Sequence, residues 1–159
     1  MRTETKPFNI VLVEDNSADI ALVRQALVEH HVDCALRVIR DGEEAIEWMA
    51  SLDADPKSPP LDLVILDMHL PKRDGEDILK HLHSTERYAE TPVILMTSLD
   101  PTFIDDKAAS RPVVVYFRKR STLGEFMQLG SIVRRILAVD EKTDGPTTEL
   151  DRKQAGGAA

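Results

Sequence analysis

Short apolar runs recur along the chain, and a polar residue follows each of them directly. The runs cover residues 10–13, 63–66, 93–96 and 113–117. Continuous apolar runs of this length are typical of strands buried on both faces, as in a parallel sheet covered by helices. The segments between the runs carry apolar residues at helical spacing. The pattern therefore predicts alternating strands and helices.

Residues that can cap a helix mark where the predicted helices begin. The candidates are Asn16 or Ser17, Asp41, Asp100 and Thr122, while a turn over residues 71–75 leads into the third helix. A weaker strand is predicted at about residues 34–39. Five strand–helix units call for a five-stranded parallel sheet with helices on both faces, joined by right-handed crossovers.

The length of 159 residues suits one domain, which we expect over residues 8–139. Residues 1–7 form a polar N-terminal segment. Residues 140–159 lack apolar periodicity, so we expect a mobile tail. No output domain is recognisable in these segments, and the sequence favours signalling through protein contact.

Charge and composition exclude several classes of function. The 28 acidic side chains outnumber the 20 Lys and Arg residues, which gives a net charge of -8. This charge repels DNA and RNA, so direct nucleic-acid binding is not expected. The single cysteine, Cys34, cannot form an internal disulfide, and no apolar stretch approaches the roughly 20 residues of a membrane span. We expect a soluble, cytoplasmic protein.

Polar residues that can handle a phosphoryl group or a divalent metal follow the predicted strands. They are Glu14 and Asp15, Asp67, Thr97 and Lys119. Because parallel sheets bind ligands beyond the carboxyl ends of their strands, we expect these side chains to converge at one edge. Three carboxylates together call for a cation, and Mg²⁺ fits best because it prefers oxygen ligands. This set suits metal-assisted phosphoryl transfer.

Several separated motifs make the chain resemble the receiver domain of two-component response regulators. They are Val-Glu-Asp at 13–15, Leu-Asp-Met-His-Leu-Pro at 66–71, Asp-Gly at 74–75, Met-Thr-Ser at 96–98 and Tyr-Phe-Arg-Lys at 116–119. The resemblance covers about residues 8–139. It implies an α/β, flavodoxin-like (βα)5 fold, a doubly wound parallel sheet with strand order 2-1-3-4-5.

The resemblance also implies how the acidic residues act. Asp67 would be the phosphoacceptor, whose carboxylate attacks a donor phosphohistidine and becomes an acyl phosphate. Asp15 and Asp67 would bind Mg²⁺ directly, with the backbone carbonyl of His69 as a third protein ligand. Glu14 would act on the metal through water. The imidazole of His69 is expected at the site mouth rather than on the metal.

Three further residues receive roles from the same resemblance. Lys119 would pair with one phosphoryl oxygen, and the Thr97 hydroxyl would donate to another. Tyr116 occupies the aromatic switch position that moves when this hydroxyl shifts. The family usually has proline after the lysine, whereas this chain has Arg120. A non-proline cis bond costs about 3–4 kcal/mol, so the geometry of this loop stays open.

Four features single out one subfamily: the Glu-Asp pair at 14–15, the Pro-rich loop before the third strand, Leu-Pro-Lys-Arg-Asp-Gly at 70–75 and Leu-Gly-Glu-Phe-Met at 123–127. With them the chain most resembles single-domain regulators that serve phytochrome kinases. This resemblance implies a red-light-responsive sensor histidine kinase, a bacteriophytochrome, as phosphoryl donor. It also implies a downstream protein target or phosphotransfer protein.

Apolar residues cover about 220° of the last helix, more than packing on a sheet requires. We therefore expect Leu129, Ile132 and Ile136 to form the centre of a homodimer interface built from the fourth helix, fifth strand and fifth helix.

Two other classes of function remain open. The first is a phosphohydrolase or phosphotransferase that uses Asp67 as its nucleophile and turns over many substrates. The haloacid-dehalogenase pattern requires a second aspartate two residues after the nucleophile, where this chain has His69. The second is an adaptor that works without phosphorylation or a flavodoxin-like cofactor binder. The complete acidic set disfavours the adaptor, and the sequence has no Gly-rich phosphate loop for a cofactor.

Overall fold

Residues 6–98, 114–119 and 122–137 are described by the computed structural model of the protein. The strands are β1 (Phe8–Val13), β2 (Cys34–Ile39), β3 (Leu63–Asp67), β4 (Val93–Thr97) and β5 (Val114–Arg118). The helices are α1 (Ser17–Glu29), α2 (Gly42–Ala54), α3 (Gly75–Ser84) and α4 (Leu123–Ile136). The helix predicted from Asp100, the predicted tail and Arg120 lie outside the described residues.

All five strands pair in parallel, in the order β2-β1-β3-β4-β5. This order confirms the predicted flavodoxin-like sheet. The register aligns Val13 of β1 with Leu66 of β3, and Asp67 of β3 with Met96 of β4. The residues that follow these positions therefore lie along one edge of the sheet, as expected.

The predicted caps begin three of the described helices. The side chain of Asn16 accepts a hydrogen bond from the backbone N–H of Asp19 at 3.0 Å, and Asp41 caps α2 in the same way. Thr122 begins α4. Asp74, which lies in the predicted turn, caps α3. Each side chain satisfies one of the N–H groups that a helix leaves without a partner at its start.

Each face of the sheet carries its own apolar core. Helices α1 and α4 cover one face, where Leu12, Ile65 and Phe126 are fully buried. Helices α2 and α3 cover the other, where Leu66 and Leu82 are fully buried. Among the described residues, no helix is both long enough and apolar enough to cross a bilayer.

The last helix, predicted as the fifth, is α4 of the described structure. The prediction that its edge is exposed is wrong for Leu129, which is completely buried. Ile132 and Ile136 are partly buried and pack against the same core as Leu129. The physical reason is that α4 contacts α1 as well as the sheet, so it buries a wider apolar arc than a helix lying on a sheet alone. The apolar arc therefore does not by itself indicate a dimer.

Candidate phosphoacceptor and metal site

Three carboxylates meet at the carboxyl edge of the sheet. Glu14 and Asp15 follow β1, and Asp67 ends β3. One oxygen from each of these carboxylates lies within 4.8 Å of the other two. Glu14 and Asp67 are buried, whereas Asp15 is exposed. The structure thus brings together the three predicted acidic residues, with one of them open to solvent.

The loop between β1 and α1 is folded around the Glu14 side chain. Glu14 Oε2 accepts hydrogen bonds from the backbone N–H groups of Asp15 at 3.0 Å and Asn16 at 3.2 Å. Arg40, which follows β2, donates to the Asp15 carbonyl at 3.3 Å and to the Ser17 hydroxyl. These contacts fix the backbone from which the Asp15 carboxylate projects.

Asp67 is held at the start of a tight loop. Its Oδ1 accepts a hydrogen bond from the backbone N–H of His69 at 3.1 Å. The Gly75 N–H donates to the Met68 carbonyl at 3.0 Å, and a Cβ at Gly75 would lie 2.7 Å from the Asp67 carbonyl oxygen. Only glycine lets α3 begin this close to the loop. The glycine therefore sets the position of the loop that follows Asp67.

The Lys119 ammonium contacts three carboxylates. Its Nζ lies 2.7 Å from Glu14 Oε1, 2.8 Å from Asp19 Oδ2 and 3.3 Å from Asp67 Oδ2. The Lys119 backbone N–H donates to the Thr97 carbonyl at 2.7 Å, which ties the lysine to the end of β4. The side chain of Lys119 is only 15% exposed. The predicted lysine therefore reaches the acidic cluster.

Burial and charge change the protonation of two groups in the site. Burial, and next the neighbouring Asp67 carboxylate, raise the pKa of Glu14 to about 7. Burial lowers the pKa of Lys119, but its contacts with Asp19, Glu14 and Asp67 outweigh this effect and leave that pKa above its ordinary value. The site thus combines a stable ammonium with a buried carboxyl group that takes up a proton more readily than an ordinary glutamate does.

The donor set fits a hard divalent cation. Carboxylate oxygens are the ligands that Mg²⁺ prefers, and an exposed Asp15 leaves room for the waters that this ion usually keeps. Burial and the neighbouring Asp67 carboxylate disfavour the charged form of Glu14 and raise its pKa, and a nearby cation would offset this effect. Asp15 and Asp67 would hold the ion, and Glu14 stands beside them.

The other predicted site residues lie on β4, on β5 and in the loop after β3. Thr97 ends β4 and is completely buried, one position beyond the partner of Asp67. Tyr116 in β5 aligns with Leu95 and packs against the core covered by α2 and α3. His69 is exposed. The metal, phosphoryl and switch roles of these residues stay predictions.

Asp19 is the site residue that the sequence did not reveal. It lies in the first turn of α1, where an acidic side chain is expected simply because it interacts favourably with the helix dipole. Its partner, Lys119, lies 100 positions further along the chain. No local pattern in the sequence indicates this contact.

A family model decides the affiliation of the chain. The model of the response regulator receiver domain matches residues 10–129. The chain belongs to this family. Receiver domains of response regulators are signalling domains rather than enzymes in the ordinary sense, and they interact with histidine kinases.

Two cyanobacterial response regulators, one of them a phytochrome response regulator, are similar to this receiver domain. The response regulator Rcp1 of Synechocystis is 32% identical over 99 residues, which cover 62% of this chain and 67% of Rcp1. The solved structure of the phosphorylated cyanobacterial phytochrome response regulator RcpA has a TM-score of 0.68 and 29% identity. It covers 85% of this chain and 97% of RcpA.

A second solved structure bears on the metal. The Mn²⁺-bound form of Rcp1 has a TM-score of 0.67 and 27% identity to this chain, and covers 80% of this chain and 92% of the solved one. Two further curated relatives are matched over only 59% and 52% of their own length. The similarity therefore concerns the receiver domain, which is the part of the chain that carries the acidic cluster.

Proposed function

We propose that the receiver domain accepts one phosphoryl group on Asp67 from a sensor histidine kinase. The observation that carries this proposal is the Asp67 carboxylate itself, which is 4% exposed, grouped with Glu14 and Asp15, and 3.3 Å from the Lys119 ammonium. A phosphoryl group placed there would meet positive charge from Lys119.

The transfer forms one bond and breaks another. A carboxylate oxygen of Asp67 attacks phosphorus, and the bond between phosphorus and the donor imidazole nitrogen breaks. The imidazole leaves with the electron pair, and Asp67 becomes an acyl phosphate. Lys119, 3.3 Å from Asp67, would neutralise charge on the phosphoryl oxygens, and Thr97 at the end of β4 would supply a hydroxyl. Mg²⁺, when bound, would neutralise charge on the same oxygens.

The divalent ion that we propose is Mg²⁺, held by Asp15, Asp67 and the His69 carbonyl, with Glu14 acting through water. The oxygen-only donor set supports this choice. The Mn²⁺-bound form of the relative Rcp1 supports a divalent ion in this fold. Self-catalysed phosphorylation and dephosphorylation would follow from the same groups.

The proposed donor is a bacteriophytochrome-type kinase in the cytoplasm. The similarity to Rcp1 and to the phytochrome response regulator RcpA supports it. The signal would leave through contact with a downstream protein or a phosphotransfer protein, and a homodimer is the proposed assembly. A panel of purified histidine kinases carrying radioactive phosphate tests the donor: a red-light-regulated kinase should transfer within seconds, and others should lag.

Intact-mass analysis tests the phosphoacceptor. Incubation with a small acyl phosphate and Mg²⁺ should add one phosphoryl group to the wild-type protein and none to Asp67→Asn. Chelation of the metal should prevent the labelling. Equal labelling of the variant, or repeated turnover of a phosphate ester by the wild type, would contradict the proposal.

A further inference from the structure

Asp19 contacts the ammonium group that the proposed phosphoryl group requires. Its Oδ2 lies 2.8 Å from Lys119 Nζ, and its side chain is 21% exposed. The residue lies in the first turn of α1, where its backbone N–H donates to the capping Asn16 side chain. The backbone thus fixes the start of the Asp19 side chain, and the charged end points to Lys119.

The Lys119 ammonium donates hydrogen bonds to Asp19 and Asp67 and forms an ion pair with Glu14. An ammonium group has three N–H donors. Its three carboxylate neighbours lie at 2.7 Å (Glu14), 2.8 Å (Asp19) and 3.3 Å (Asp67). The phosphoacceptor therefore has the longest of these contacts. A phosphoryl oxygen that needs Lys119 has to share the ammonium with two closer anions.

Lys119 does not need Asp19 in order to reach the site. Its backbone N–H is bonded to the Thr97 carbonyl at 2.7 Å, and Glu14 Oε1 is as close to the ammonium as Asp19 is. Asp19 therefore adds a negative charge rather than an essential tether. A phosphoryl group adds almost two more negative charges nearby, and like charges repel strongly in a partly buried site.

We propose that Asp19 is a positioning residue that competes with the phosphoryl group for the Lys119 ammonium and lowers the affinity of the site for that group. The inference rests on the proposed function of Asp67 and Lys119. Removal of the Asp19 charge weakens the attraction between residue 19 and the Lys119 ammonium and removes one repulsive charge. The site should then bind a phosphoryl-like anion more tightly.

Beryllium fluoride, which mimics a phosphoryl group without forming a stable covalent product, is the probe. Its dissociation constant would be measured by calorimetry at saturating Mg²⁺ for wild type, Asp19→Asn and Asp19→Ala. The asparagine keeps a group that can accept from Lys119 but lacks the charge. Both variants should bind the probe at least about fivefold more tightly than wild type.

Asp77→Asn is the matched control. Asp77 occupies the same position in the first turn of α3, and its backbone N–H donates to the capping Asp74 side chain at 3.0 Å, as that of Asp19 does to Asn16. Asp77 is exposed. The same substitution there changes the net charge and the helix dipole equally, so its affinity for the probe should stay within about twofold of wild type.

The outcomes separate this inference from the proposed function. Unchanged or weaker binding by both Asp19 variants would overturn the competition, and a stepwise loss from wild type through asparagine to alanine would assign Asp19 the opposite, supporting role. A tightening shared by Asp77→Asn would also overturn it, because general charge would explain the effect. A wild-type protein that binds no probe in Mg²⁺ would overturn the proposed function as well.

Discussion

The interior of the central strands and their carboxyl ends are equally buried but differ in chemistry. Four of the five residues of β3 and of β4 are apolar, yet the last buried residues of these strands are Asp67 and Thr97. Burial of apolar side chains stabilises the fold, whereas burial of a charge costs free energy unless a partner offsets it. Adjacent residues therefore serve different ends: Leu66 contributes to the stability of the fold, and Asp67 carries the proposed function.

The two regions also depend on different partners. Interior residues such as Ile65 contact other apolar side chains from the sheet and from one helical layer. Asp67 instead depends on groups brought by distant elements, above all Lys119 after β5. A substitution in the interior should therefore lower the free energy of unfolding and leave phosphoryl uptake unchanged. A substitution of a charged residue at the edge should impair phosphoryl uptake and leave the free energy of unfolding nearly unchanged.

Asp67→Asn should have the largest effect, a complete loss of phosphoryl uptake. The amide cannot act as the nucleophile, but it is nearly isosteric and removes one of the crowded negative charges. Its free energy of unfolding, measured by urea denaturation without metal, should equal or exceed that of wild type. A folded variant that is clearly less stable would show that the charge also stabilises the edge.

Ile65→Ala tests the interior of the same strand. Ile65 is fully buried, so its truncation should reduce the free energy of unfolding by about 2–5 kcal/mol. Ile65→Val serves as the milder control, at about 0.5–1.5 kcal/mol. Below its melting temperature, Ile65→Ala should still be labelled on Asp67 to the wild-type extent. Loss of labelling in the folded variant would contradict the separation of the two regions.

Gly75→Ala should disturb the edge through the backbone. A Cβ at this position would lie 2.7 Å from both the Asp67 carbonyl oxygen and Met68 Cα, so α3 or the loop that follows Asp67 has to move. Overpacking of this kind typically costs about 1–3 kcal/mol. The rate of phosphoryl uptake should fall together with the free energy of unfolding.

Gly124→Ala is the control for this substitution. Gly124 lies in the first turn of α4, and a Cβ there meets no other atom within 4 Å. Alanine should be neutral or slightly stabilising at this position, with an unchanged rate of uptake. Equal rates for the two variants would show that the close contact at Gly75 does not set the position of Asp67.

The elements of the fold were predictable because their signals are local. The apolar runs gave β1, β3 and β4, and the capping residues Asn16, Asp41 and Thr122 begin the helices that they predicted. The grouping of Glu14, Asp15 and Asp67 followed from the parallel topology, which brings strand ends to one edge. The strand order is the only long-range information that is needed to predict which strand-end side chains lie together.

Contacts between helices were beyond the sequence pattern. The sequence pattern predicts Leu129 at the surface because a sheet alone cannot cover the whole apolar arc of α4, and the pattern of one helix does not show that α1 packs beside it. The contact of Asp19 with Lys119 is not predictable for a related reason. Asp19 and Asp77 both lie in a first helical turn with a cap three residues before them, and only the tertiary fold distinguishes them.

The pH dependence of metal binding should report the cost of burying charge at the edge. The pKa of Glu14 is raised to about 7, so its neutral form predominates below that pH. Binding of Mg²⁺ favours the charged form and releases the proton. The affinity should therefore be roughly tenfold lower at pH 6 than at pH 8, as measured by calorimetry. Glu14→Gln should abolish most of this dependence, and an equally steep dependence in that variant would assign it to another group.

The smallest expected effect concerns the surface of α4, where burial is incomplete. Leu129 belongs to the interior of the monomer, so only the accessible parts of Ile132 and Ile136 remain for a partner. A homodimer built on them should be weak, and Ile132→Ser with Ile136→Ser should shift sedimentation toward monomer by no more than a few-fold in dissociation constant. Gln128→Ser and Arg135→Ser alter exposed positions of the same helix and should leave the dissociation constant unchanged.

Leu129→Ala should instead lower the melting temperature by the same amount at low and at high protein concentration. Loss of an interface residue would weaken association, and its effect on the melting temperature would therefore depend on protein concentration. A concentration-dependent loss in Leu129→Ala would return this residue to the interface.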